Sequence, residues 1–162
     1  MGILPRPQEA PAPRLASAQS IAYLFAGILV VMVLGQLFTL DGFIDLVFAM
    51  QLNVGWQGSA LLAPLIITLE VFALPFLLRM TISPAFRWFS MICGWLVSVV
   101  WFYISFSLAY AGTTVSTVGF LGSFGDLMPG WWAVSISLLL GLMAMWTSVG
   151  LWPGVSRAPR AE

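Results

Sequence analysis

Four uninterrupted apolar stretches, at about 20–40, 58–79, 87–110 and 131–152, limit what this chain can fold into more than any other feature. Each holds roughly the 20 residues that cross a hydrocarbon core at 1.5 Å of rise per residue. In lipid every backbone N–H and C=O must find its partner within the protein, which makes a spanning segment a helix or a strand of a closed barrel. Barrel strands alternate apolar and polar positions, whereas these stretches are continuously apolar, so helices are expected. The expected fold is all-α, an integral membrane four-helix bundle in one domain over 20–152.

Charge supports the same reading. Only 7% of residues are charged and 60% are hydrophobic, against about 25% charged in a soluble domain. The solvent for most of the surface is therefore expected to be a lipid bilayer. The zero net charge and the lack of any basic run argue against nucleic acid. The absence of histidine removes the usual ligand of haem, zinc and copper and the usual proton shuttle. The single cysteine, Cys93, has no intrachain thiol to pair with. No metal and no cofactor is implied, and Cys93 reads as a small buried residue.

The arginines orient the bundle. Arg6 and Arg14 precede the first stretch, Arg79 and Arg87 flank the short connection TISPAF, and Arg157 and Arg160 follow the fourth stretch. The other two connections carry Asp41, Asp45 and Asp126 and no basic residue. The positive-inside rule then puts both termini and the 80–86 loop in the cytoplasm, with the chain in the cell's inner (plasma) membrane. Trp56, Trp88, Trp131, Trp132 and Trp152 sit where an aromatic belt is expected. Residues 1–19, with four prolines, read as a disordered cytoplasmic lead rather than a signal peptide, and 153–162 as a cytoplasmic tail. Phe43, Val47 and Met50 recur at helical spacing beside the two aspartates, which suggests a short helix lying in the outer interface. The second outer connection, rich in glycine, serine and threonine, reads as irregular structure.

Small residues suggest how the helices pack. Ser90, Gly94 and Ser98 recur every four residues, and Ser137, Gly141, Ala144 and Ser148 at four, three and four. Such stripes let lipid-immersed helices approach closely. On this reading a bulky residue at Gly141 would force two backbones apart. A ligand groove along the same stripe is the alternative.

Glu70 is the one charge well inside an apolar span. A carboxylate there is expected to face the bundle interior with partners, because exposing it to hydrocarbon is costly. Arg79, nine residues along the same helix, falls on the opposite face about 13 Å away. Counting equal rise from the cytoplasmic side places Trp95 and Ser98 at the level of Glu70, together with Met143, Ala144 and Thr147. Glu70, Trp95 and Ser98 are therefore the candidate intramembrane polar site, with the Trp95 indole or the Ser98 hydroxyl as donor. Pro64 and Pro75 bracket Glu70 and free backbone carbonyls near it. No catalytic residue is indicated. Glu70 is read as an interhelical clamp or subunit contact, with a proton or ligand site as the alternative.

Two segments resemble a known family. LLAPLIITLEVFALPFLLRM resembles the second helix of the DoxX/MauE superfamily of small four-helix membrane proteins, in which a glutamate lies in a similar apolar context before a basic residue. GFLGSFGDLMPGWWAVSISLLLGLMAM resembles the MauE-type pattern of a glycine-phenylalanine loop before a tryptophan and the fourth helix. The resemblance implies a four-helix fold, Glu70 as the family-like position and work beside a larger partner. DoxX-like members are associated with membrane oxidoreductase complexes, and MauE-like members with enzyme maturation and thiol handling. Ser123 stands where MauE-like members often carry a loop cysteine, so thiol activity does not carry over.

Three functions are thus open. The first is a non-catalytic accessory or assembly subunit of a larger membrane protein complex, its partners being other membrane subunits. The second is a lipid- or quinone-binding protein or enzyme with Glu70 in a pocket. The third, a small proton-coupled transporter, is the least supported, since four helices without an internal repeat leave little material for alternating access.

Overall fold

The structure, a computed structural model, describes residues 9–10, 12–50, 55–111, 115–124 and 127–152. Residues 1–8 and 11 of the lead, the 153–162 tail and Asp126 lie outside them, and with them the arginines at 6, 157 and 160. The described residues form five helices and no strand: α1 (Ala16–Phe38), α2 (Leu40–Ala49), α3 (Gly55–Leu77), α4 (Pro84–Ala111) and α5 (Trp131–Leu151). Four of these, α1, α3, α4 and α5, are long and apolar enough to cross a membrane. They close into a ring in which α1 packs on α3, α3 on α4, α4 on α5 and α5 back on α1.

Local chemistry sets the turn between α3 and α4. Arg79 takes a left-handed backbone conformation (φ 55°), its N–H reaching the Phe76 carbonyl, while the Met80 N–H bonds the Pro75 carbonyl. This pair of bonds is a Schellman cap, which satisfies carbonyls left over at a helix end. Ser83 then caps α4: its hydroxyl accepts from the Phe86 N–H at 3.3 Å, and Pro84 occupies the first helical position, where a missing N–H costs nothing. Those two residues start α4 three positions before the apolar stretch that marks it in sequence.

Packing along the ring depends on small residues, though not on all the expected ones. Ser90, Gly94 and Ser98 are buried on α4. The Ser90 hydroxyl accepts from the Phe76 N–H at 2.9 Å and donates to the Ala73 carbonyl at 3.3 Å, tying α4 to the stretch of α3 around Pro75. On α5, Ser137 and Ala144 are buried and Ser148 half-buried, and the Ser137 hydroxyl shares a hydrogen bond with Ser105 across 3.0 Å. Gly141 corrects the reading. A methyl group added there would meet nothing within 4 Å, because Gly141 lines an open groove between α4 and α5. The close approach occurs instead at Gly150, where an added methyl would overlap Ala18 of α1.

The short helix α2 forms where the apolar spacing suggests, and its apolar face turns to protein. Phe43, Val47 and Met50 are buried, and the helix packs against α3. Asp41 and Asp45 stay on its exposed side.

Candidate functional site

Glu70 is fully buried, and it is the only charged residue among the described buried positions. Two donors reach its Oε1: the Trp101 indole N–H from α4 at 2.8 Å, and the Gln36 amide from the last turn of α1 at 3.2 Å. The same Gln36 nitrogen donates to the Phe120 carbonyl at 3.2 Å. Three helices (α1, α3 and α4) therefore meet at one carboxyl group, and the segment before α5 joins them through Gln36. A charge at the centre of a bilayer costs about 2.5–3.5 kcal/mol on insertion scales, and enclosing the group with donors offsets this.

Trp101 is itself held on both sides. Its ring lies 4.7 Å from that of Phe120 and 6.5 Å from that of Phe43, so the indole N–H has little freedom to leave Glu70. Offset ring contacts of this kind add about 0.5–1.5 kcal/mol beyond area burial.

Segment 117–124 covers this cluster. Thr117, Val118 and Phe120 are buried, and the backbone is irregular, as the glycine-rich sequence suggests. Gly119 (φ 93°) rests on Phe43, Leu46 and Met50 of α2 and its end, and Gly122 (φ 67°) presses on Thr39 and the backbone of Gly35 and Gln36. Only glycine enters that region of backbone space without penalty. The Ser123 N–H donates to the Thr39 hydroxyl at 3.1 Å, so Ser123 serves as a backbone anchor, with its residue exposed.

The expected donors to Glu70 lie elsewhere. The Trp95 indole donates to Ser148 at 3.0 Å on an exposed face, and the Ser98 hydroxyl donates to the Gly94 carbonyl of its own helix at 3.1 Å. Thr147 likewise bonds the carbonyls of Met143 and Ala144. The depth count falls short, since Trp101 lies six residues beyond Trp95 and three beyond Ser98. Helical side chains point back toward the N-terminus, so Trp101 covers a level well before its own Cα. Gln36 had a visible signal, as the one amide inside the first apolar stretch, but a count over the third and fourth spans passes it by.

Two apolar grooves open on the outside of the ring. One, of about 680 Å³, lies between α1 and α5 and is walled by Tyr23, Gly27, Val31, Phe120 and Trp132. The other, of about 400 Å³, lies between α4 and α5 over Ser98, Ser137 and Gly141. Cys93 is buried and free. Among the described residues no three histidine, cysteine or acidic side chains gather as metal ligands would.

No family model, no characterised protein and no solved structure matches this chain.

Proposed function

We propose that this protein is a non-catalytic accessory or assembly subunit of a larger membrane protein complex. The observation that carries the reading is the closure of the Glu70 site. Glu70 is hydrogen-bonded by Trp101 and Gln36 beneath the Phe120 segment, and it is the only charged residue among the described buried positions. That geometry suits a clamp holding helices together better than a site of turnover. The bilayer-facing surface of the proposed subunit is rich in large side chains, including a row of ring contacts running from Phe102 through Phe106 to Tyr110. The resemblance to DoxX-like proteins favours a membrane oxidoreductase complex as the assembly. In the proposed topology both termini and the α3–α4 turn face the cytoplasm across the inner membrane, as the arginine distribution favours.

A second reading has its own observation. The α1–α5 groove is wide, apolar and open toward the bilayer, as a site for a lipid or quinone tail would be. Purification of the tagged full chain from native membranes in mild detergent distinguishes the two. Membrane subunits recovered in fixed proportion are expected; a lone protein carrying a lipid or quinone would replace the first reading with the second.

A further inference from the structure

The hydrogen-bond inventory of the Gln36–Glu70 pair is incomplete in a specific way. Gln36 Nε2 contacts Glu70 Oε1 and the Phe120 carbonyl. A backbone carbonyl can only accept, so the nitrogen must occupy that position and the orientation of the amide is determined. That leaves Gln36 Oε1 as an acceptor, and it has no hydrogen-bond partner; neither has Glu70 Oε2. Orphans on both members of an already bonded pair ask for a single donor between them.

Size decides what that donor is. Both residues are fully enclosed, and neither orphan oxygen borders a space large enough for a water molecule. A buried water or a coordinated cation needs such a space, whereas a proton needs none. No positive charge is available as a substitute, since Glu70 is the only charged residue among the described buried positions. The elements around the pair contribute Phe43 from α2, Trp101 from α4 and Phe120 from the covering segment. The buried hydroxyls of Ser137 and Thr147 on α5 already bond within the protein.

We propose that Glu70 is a proton-binding site whose resident proton sits on Oε2 and donates to Gln36 Oε1, closing a reciprocal acid–amide pair between α3 and α1. The amide gives a hydrogen to the acid through Nε2 and receives one through Oε1. Glu70 Oε1 uses its two lone pairs for Gln36 and Trp101. The cluster is then neutral, every polar atom in it has a partner, and the clamp works without burying a charge. Glutamine at position 70 reproduces the protonated acid in shape and in hydrogen-bonding pattern, with its amide nitrogen in place of the O–H group.

Infrared spectroscopy of the purified full chain at neutral pH tests this independently of any partner complex. The wild type is expected to show the carbonyl band of a protonated carboxylic acid, and its shift in D2O is expected to be slow because the site is enclosed. Glu70→Gln removes that band and leaves the melting temperature unchanged to within about 2 °C. Gln36→Leu keeps the band and moves it, because its hydrogen-bond acceptor is gone. Absence of the band in the wild type would overturn the proposal. So would a Glu70→Gln variant that melts well below wild type or fails to fold, or a band that Gln36→Leu leaves in place.

Discussion

Gly150 of α5 and Ala18 of α1 stand so close that a methyl group on the glycine would occupy the space of the alanine side chain. The Arg14 N–H donates to the Gly150 carbonyl at 2.9 Å at the same junction, where the last helix closes the ring on the first. Gly150→Leu is therefore expected to destabilise the bundle by at least the ~1–3 kcal/mol typical of overpacking. Gly141→Leu, which extends into the open α4–α5 groove, is expected to change stability far less. Thermal unfolding of both variants in one detergent checks this, and equal losses would mean that the α4–α5 groove is filled in solution.

Trp101→Phe keeps a ring beside Phe43 and Phe120 but deletes the N–H that reaches Glu70. Removing the shorter of the two bonds to a buried acceptor is expected to cost about 1–1.5 kcal/mol. Trp95→Phe deletes a bond to Ser148 on an exposed face. The average worth of an interhelical side-chain bond in a membrane is about 0.6 kcal/mol, so a smaller loss is expected. Chemical denaturation of the two variants under one set of conditions gives the order, and the reverse order would remove Trp101 from the clamp.

These two pairs show which features are legible in the chain. The spans could be read from the apolar lengths, since lipid admits few other structures. The helix start at Pro84 could not, because Ser83 and a proline at the first helical position set it outside the apolar stretch, and α1 begins at Ala16 with no side-chain cap to mark it. Glu70 announced itself as an isolated charge. Gln36 stood out as the one amide of the first apolar stretch, but its pairing with Glu70 and the direction of the Trp101 ring depend on how the helices pack. Gly141 belongs to the small-residue stripe and Gly150 does not, yet Gly141 faces an open groove while Gly150 meets Ala18 of α1.

The covering segment depends on its glycines. Gly122→Ala places a Cβ at φ 67°, against Thr39 and the Gln36 backbone. The backbone term alone is about 1–2 kcal/mol, so a clear loss of stability is expected, with faster amide hydrogen exchange over 117–124. Gly27→Ala in α1 is the contrasting case: nothing lies within 4 Å of an added methyl, and exchanging glycine for alanine inside a helix is worth about 0.5–1 kcal/mol. That variant is expected to be as stable as wild type or more so. Hydrogen exchange read by mass spectrometry checks both.

Sidedness can be read by labelling. Thr81→Cys in the α3–α4 turn and Ser116→Cys at the opposite end, each in a Cys93→Ser background, put one exposed thiol at either end of the bundle. In intact cells an impermeant reagent is expected to label position 116 and to reach position 81 only after the membrane is opened. The opposite pattern would invert the proposed topology.

The groups that enclose Glu70 come from widely separated parts of the chain, and synthesis delivers them in a fixed order. Gln36 precedes Glu70 by 34 residues, Trp101 follows it by 31, and Phe120 lies 84 residues beyond Gln36. When the residue carrying the acid is added to the growing chain, its amide partner has already been made, while the indole and the covering segment have not. A nascent hairpin of α1 and α3 can thus shelter the acid from lipid before the second half of the protein exists. Truncation before α4 removes half of the donors to Oε1 and all of the cover, while leaving that first pairing intact.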